Sequence, residues 1–191
     1  MRRNASYCLL IFTVLLLFAG RQEVHAQQFA LGTDAVMIGA LTPNVVAEVV
    51  TGEKTSLAVA VAGNYHPWKL DFKGIGVRPE FKIWLSGRPM IREYLGIAAF
   101  VDGYEYTFDD LTRKGMSGGV GITGGYMFRL SERFCLELSA GAGLMYYSHE
   151  LFSKQEEYGK FFPGDEPVSN NASGFRLVPV KLGVTFIYIL K

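Results

Sequence analysis

Residues 134–146 read FCLELSAGAGLMY, and their alternation decides the fold. The even positions are Phe134, Leu136, Leu138, Ala140, Ala142, Leu144 and Tyr146; the odd ones are Cys135, Glu137, Ser139, Gly141, Gly143 and Met145. Successive side chains of a strand point to opposite faces, so this strand has one apolar face and one face of small or polar groups. Strands of soluble proteins usually stop near 5–6 residues. A longer strand whose polar face is mostly Gly, Ala and Ser suits a closed barrel with a narrow interior and an apolar outside.

The same pattern recurs outward from this stretch. Ile75, Val77, Pro79, Phe81, Ile83 and Leu85 share a face opposite Gly76, Arg78, Glu80, Lys82 and Trp84. Val178, Val180, Leu182, Val184, Phe186 and Tyr188 oppose Lys181, Gly183 and Thr185. Val120, Ile122, Tyr126 and Phe128 oppose Gly121, Thr123, Gly125 and Arg129, while Leu95, Ile97, Ala99 and Val101 oppose Gly96, Ala98, Phe100 and Asp102. Nearer the start, Leu57, Val59 and Val61 alternate with small residues, Val45, Ala47 and Val49 flank Glu48, and Asp34 is placed inward. The expected strands are 29–40, 44–51, 54–66, 74–86, 92–106, 117–129, 133–148 and 174–190, which makes an all-β, antiparallel, up-and-down transmembrane β-barrel of eight strands. Tight connections at 51–54, 87–91 and 130–132 alternate with longer ones at 66–73, 107–116 and 149–173, apart from a short one at 41–44, so the tight turns fall on the periplasmic side.

Aromatic residues gather at strand ends. Tyr65, Trp68, Tyr104, Tyr106, Tyr146, Tyr147 and Phe175 are expected at the outer lipid boundary; Trp84, Tyr126, Phe128, Phe134, Phe186 and Tyr188 at the inner one.

The N-terminus fits export. Arg2 and Arg3 precede the apolar run from Leu9 to Phe18, and Val24 and Ala26 have signal-peptidase spacing, so residues 1–26 read as a cleaved signal peptide and 27–191 as an outer-membrane β-barrel domain. The run is too short for a membrane helix of about 20 residues. Removing Arg2, Arg3, Arg21 and Glu23 takes the balance from 19 basic and 18 acidic residues to 16 and 17, with no basic stripe for nucleic acid. Cys135 alone remains, which excludes an intrachain disulfide and a cysteine-rich metal site. The chain is 49% hydrophobic and holds 22 glycines, as an all-β chain of small and apolar residues would.

Three patterns bear on chemistry. Gly119-Val120-Gly121-Ile122-Thr123-Gly124 matches the dinucleotide fingerprint, but it lies inside an alternating strand with no helix following, so no cofactor is expected. Ser148-His149-Glu150 cannot form a triad among adjacent strand residues, although His149 would meet Ser173 or Asp165 if the last loop folded back. Asp34, Glu48, Arg78, Glu80, Lys82, Asp102, Arg129, Glu137 and Lys181 form an inward charge network; in a barrel of eight strands such side chains fill the lumen and pair with one another. In the last loop, residues 151–173, the Phe161-Phe162 pair is a candidate partner contact.

Lys181-x-Gly183-x-x-Phe186-x-Tyr188 resembles the barrel-assembly signal of outer-membrane proteins, although here Ile189, Leu190 and Lys191 follow the aromatic residue. Leu41-Thr42-Pro43-Asn44, Asn64-Tyr65-His66-Pro67-Trp68 and Arg78-Pro79-Glu80-Phe81-Lys82-Ile83-Trp84 resemble a Bacteroidetes-type family of small outer-membrane barrels, OmpA-like in architecture and catalogued as a domain of unknown function. The resemblance covers most of the chain after residue 26 and brings no catalytic residues. It implies localisation in the outer membrane of a Gram-negative bacterium, with lipid and the barrel-assembly machinery as partners. Some relatives sit at surface-fimbria loci, so a fimbrial or other surface protein is a further implied partner. The expected function is non-enzymatic: a structural barrel, or an accessory to a surface assembly through its outer loops. A lipid-modifying barrel enzyme and a narrow pore are the alternatives.

Overall fold

A computed structural model describes residues 28–69, 71–108, 111–153 and 172–190. Eight antiparallel strands follow one another up and down: β1 (Phe29–Asp34), β2 (Asn44–Val50), β3 (Thr55–Tyr65), β4 (Phe72–Trp84), β5 (Arg92–Phe108), β6 (Leu111–Arg129), β7 (Phe134–Ser153) and β8 (Ala172–Ile189). Each pairs with its neighbours in sequence, and β8 returns to pair with β1 from Ala30 opposite Ile189 to Asp34 opposite Thr185, so the ring closes as a barrel. Closure leaves no sheet edge at that seam.

Three short turns, at 51–54, 85–91 and 130–133, join strands at one end, termed here the turn end. The opposite, open end is uneven. Strand length grows from 6 residues in β1 to 20 in β7, so the wall is low beside β1 and β2 and tall from β5 to β8. A short helix, α1 (Ala35–Gly39), lies against β8 at the low side.

Several boundaries differ from those expected. The first strand stops at Asp34 instead of running to Ala40. The Asp34 carboxylate accepts from the Val36 N–H at 2.9 Å and caps α1, while its backbone N–H donates to Asn44 Oδ1 at 2.7 Å. A side chain that captures backbone donors in this way ends a strand and starts a helix. The expected connection 107–116 is mostly strand, since β5 and β6 pair as far as Phe108 opposite Leu111. Leu151–Ser153 likewise belong to β7.

The largest difference lies in β8. Gly141 pairs with Lys181 and Ala142 with Pro179, which leaves Val180 as an extra residue in a β-bulge. Pro179 has no N–H to give the ladder, and bulges are where sheets tolerate proline. The bulge turns Val180 and Lys181 inward together. Above it the faces are exchanged: Phe175 and Leu177 point out, and Val178 packs inward. Val180 is 3% exposed rather than on the outer face where strict alternation puts it.

Elsewhere the expected faces hold. Leu57, Val61, Ile75, Ile83, Leu95, Ile97, Val120, Ile122, Leu138 and Leu182 are exposed on the outside, and the alternate residues line the inside. Four aromatic side chains are displaced from the expected girdles. Trp84 is buried in the turn-end core, and Tyr104, Tyr106 and Tyr147 line the interior near the open end. Tyr65, Trp68, Tyr146 and Phe175 remain outside near the open end, and Phe128, Phe134 and Phe186 near the turn end.

Candidate functional site

The barrel interior is layered along its axis. At the turn end Ala30, Trp84, Met90, Tyr94, Met127, Cys135 and Ile187 form an apolar plug. Met90 comes from the β4–β5 turn, which folds under the barrel with Met90 and Arg92 at φ 59° and 64°. Side chains rarely adopt that left-handed region. Burial of Met90 offsets its cost, and Ser86 Oγ braces the turn by donating to the Ile91 carbonyl at 2.6 Å.

Above the plug lies a connected polar layer. Lys82 Nζ donates to Glu48 Oε2 at 2.8 Å and to Glu137 Oε2 at 2.6 Å. Lys181 Nζ donates to Glu80 Oε2 at 2.6 Å, to Glu137 Oε1 at 2.8 Å and to the Tyr94 hydroxyl at 3.2 Å. Neutral donors complete the set: Ser56 to Glu48 Oε1 at 2.6 Å, Thr123 to Glu80 Oε1 at 2.6 Å and Tyr94 to Glu137 Oε1 at 2.7 Å. Trp84 Nε1 in turn donates to Ser56 Oγ at 2.8 Å. Every oxygen of Glu48, Glu80 and Glu137 therefore accepts at least one hydrogen bond. Lys82 and Glu137 are each 1% exposed. Buried charges survive only when paired and hydrogen-bonded in this manner. The layer holds three carboxylates against two ammonium groups, and the hydroxyl donors of Ser56, Thr123 and Tyr94 supply the polar partners that the cations do not.

Glycines let the layer form. A Cβ on Gly125 would lie 2.6 Å from the Tyr94 ring and from the Leu138 carbonyl, and one on Gly96 would lie 2.6 Å from Thr123 Oγ1. The Gly119–Gly124 run has the same role. Gly119 faces the Phe100 ring, and Gly121 faces Val180 and the Ala142 carbonyl. The run sits wholly inside β6, with β7 after it.

Ala98, Phe100 and Val180, with Met145 and Val178 against them, form a second apolar layer. Beyond it the interior opens into a chamber of about 740 Å³, lined by Arg78, Asp102 and Arg176 together with Asn64, Tyr104, Tyr106 and Tyr147.

The nine residues expected to form one network thus occupy four places. Glu48, Glu80, Lys82, Glu137 and Lys181 meet in the polar layer. Arg78 and Asp102 stand in the chamber. Asp34 caps α1 and also accepts from the Val184 N–H at 3.3 Å. Arg129 is exposed at the turn end, where its guanidinium donates to the Ser131 and Glu132 carbonyls; it leaves the lumen because β6 ends there. Tyr94, which sequence reasoning missed, is central. Its position was readable, because the inward parity of Gly96, Ala98, Phe100 and Asp102 extends back to it.

The residues resembling an assembly signal are divided by face. Lys181 and Gly183 point inward, and Gly183 leaves room for the Asp34 carboxylate. Phe186 is exposed outside, and the Tyr188 ring packs on Phe134 with centroids 4.9 Å apart. His149 lies in β7 opposite Ala172, one place from the Ser148–Ser173 pair. Asp165, Phe161 and Phe162 fall outside the described residues.

Sequence comparison finds one family: the profile described as "Protein of unknown function (DUF3575)" matches residues 11–190. No curated protein matches the chain, and no solved structure does.

Proposed function

The chain belongs to the family described as Protein of unknown function (DUF3575), and from that premise we propose that it is a non-enzymatic outer-membrane β-barrel, closed to transport, that serves the envelope as a structural element or as an accessory to a surface assembly. The observation that carries this reading is the outside of the barrel. Ile75, Ile97, Ile122 and Leu182 are each 66–70% exposed, on β4, β5, β6 and β8, and Leu57, Phe81, Val120 and Leu138 extend the same belt. Soluble proteins rarely expose a contiguous apolar patch beyond a few hundred Å². Lipid satisfies such a belt, because every backbone group of a closed barrel is already paired.

The aromatic bands support the same placement. Phe134 and Tyr146 stand twelve residues apart on β7. That distance is about 40 Å along a strand, or about 30 Å across a membrane at the usual tilt, enough to bracket an apolar band of about 25 Å. Short turns at one end and a taller wall at the other match periplasmic and extracellular sides. The tall wall and residues 151–173, with Phe161 and Phe162, would face a surface partner such as a fimbrial protein. The polar layer favours a closed lumen over a narrow pore, since its side chains hold one another across the barrel.

Fractionation and gel mobility test the proposal. The protein should be recovered with the outer membrane, run at different positions before and after boiling, and give no single-channel conductance in a planar bilayer. Recovery in the soluble fraction with unchanged mobility would reject the membrane barrel; stable conductance steps would reject the closed lumen alone.

A further inference from the structure

We infer that the open-end chamber is a binding site for a small aromatic carboxylate that also carries a hydrogen-bond donor. The inference stands on the chamber itself and goes beyond the structural role proposed above.

Shape comes first. The chamber measures about 740 Å³, and beneath it the interior narrows to a gap of about 20 Å³ between Arg78 and the polar-layer residues Glu80, Glu137 and Lys181. A dead-end cavity of this size falls within the range of about 300–1,000 Å³ typical of small-molecule sites. The polar layer beneath leaves no carboxylate oxygen unpaired. The chamber differs, for Arg78 Nε and Asn64 Oδ1 are both buried and neither has a hydrogen-bond partner among the described residues. Both residues line it. One is a donor and the other an acceptor, so a fitting ligand brings both an acceptor and a donor.

Charge narrows the class. Among the described residues, the chamber walls carry two guanidinium groups, Arg78 and Arg176, and one carboxylate, Asp102. The surplus is one positive charge, which suits a monoanion; a phosphate monoester would bring about −1.5 to −2. The fork of a guanidinium matches a carboxylate in two parallel hydrogen bonds, and Nε belongs to that fork. Asn64 Nδ2 donates to Thr42 Oγ1 at 3.3 Å, which leaves Oδ1 for a hydroxyl or amine of the ligand.

Rings complete the fit. Tyr104 and Tyr106 stack with centroids 6.2 Å apart and planes at 28°, and the Arg176 guanidinium lies 5.2 Å over the Tyr147 ring. Aromatic walls of this kind hold a flat ring by offset or edge contacts.

Methyl-labelled methionine provides the test on the full-length mature protein in non-ionic micelles. Met37 and Met145 border the chamber, whereas Met90 and Met127 lie in the turn-end plug and report on folding. Three probes are titrated: 4-hydroxyphenylacetate, phenylacetate without the donor, and tyramine without the carboxylate. The first should shift the Met37 and Met145 signals saturably with Met90 and Met127 unmoved, phenylacetate should bind more weakly, and tyramine should not saturate. Arg78→Gln should weaken 4-hydroxyphenylacetate by about tenfold or more, the scale of a lost charge-assisted bond, and Arg176→Gln should weaken it too. Asn64→Ala should bring it down to the level of phenylacetate. No saturation by about 20 mM, tyramine binding as well as the acid, equal binding of the two acids, or an Arg78→Gln protein with native Met90 and Met127 signals and unchanged affinity would each overturn the assignment.

Discussion

The two halves of the barrel interior are built on opposite terms. Toward the turn end, the polar layer joins five charged side chains, three hydroxyls and an indole N–H, and its carboxylate oxygens are all engaged. Toward the open end, among the described residues, Arg78 and Asp102 are not joined by an ion pair and two buried polar atoms have no partner. Both halves carry mixed charge on inward faces, and β4 supplies both, Arg78 to the chamber and Glu80 and Lys82 to the layer. What separates them is neighbouring bulk. Trp84, Tyr94 and Met127 crowd the lower half until charges must meet, whereas Ala60, Ala62, Gly74 and Gly76 leave the upper half hollow. A fully satisfied polar layer specifies structure, and the hollow half is the binding site inferred above.

The contrast is broken most severely at Lys82. Lys82→Met should destabilise the barrel by about 3–5 kcal/mol, because Glu48 and Glu137 remain buried after losing a shared cation. Arg78→Met, four residues away on β4 and on the same face, should stay within about 0.5 kcal/mol, as expected away from a packed network. Urea titration of each refolded variant in micelles, followed by Trp84 fluorescence, measures both. Equal losses would mean that the chamber is as tightly coupled as the layer below it.

Glycine substitutions sharpen the same contrast at lower cost. Gly125→Ala forces a Cβ against the Tyr94 ring and the Leu138 carbonyl and should cost about 1–3 kcal/mol by overpacking. At Gly74, on the inward face of β4 in the chamber wall, an added Cβ would come no nearer than 3.3 Å to the Phe72 ring, so Gly74→Ala should cost clearly less than Gly125→Ala by the same titration.

Period-two alternation told inside from outside nearly everywhere, and it did so because a strand has only two faces. It carries no information about height along the barrel axis. Asp34, Arg78, Asp102 and Arg129 therefore read as members of the same network as Lys82, and pairing register is what separates them. The tyrosines failed for a related reason. Tyr104, Tyr106 and Tyr147 lie toward the open end, as girdle residues do, but on the inward face, and height along the barrel says nothing about which face a ring takes. Trp84 repeats the error at the turn end. The bulge was legible only in part. Pro179 marks a place where the ladder lacks a donor, yet nothing in sequence says which neighbour becomes the extra residue. Strict alternation then carries Val178 and Val180 outward, the reverse of what the fold shows.

That reversal supports the finest prediction, which compares inside with outside instead of top with bottom. Leu177 is 77% exposed and Val180 is 3% exposed, three residues apart on β8 with the bulge between them. Strict alternation would give them opposite faces as well, but with Val180 on the outside. Two variants distinguish the registers in bilayers of brominated lipid, each built on a background in which Trp68 and Trp84 are replaced by Phe. With Leu177→Trp the proposed lipid contact should quench much of the fluorescence. With Val180→Trp, where the new ring is held inside against Phe100 and Ala98, quenching should be slight, and stability should fall by about 1–3 kcal/mol from overpacking. The opposite ranking would return β8 to an unbroken register and would also move Lys181 out of the polar layer, since the bulge is what lets Val180 and Lys181 point inward side by side.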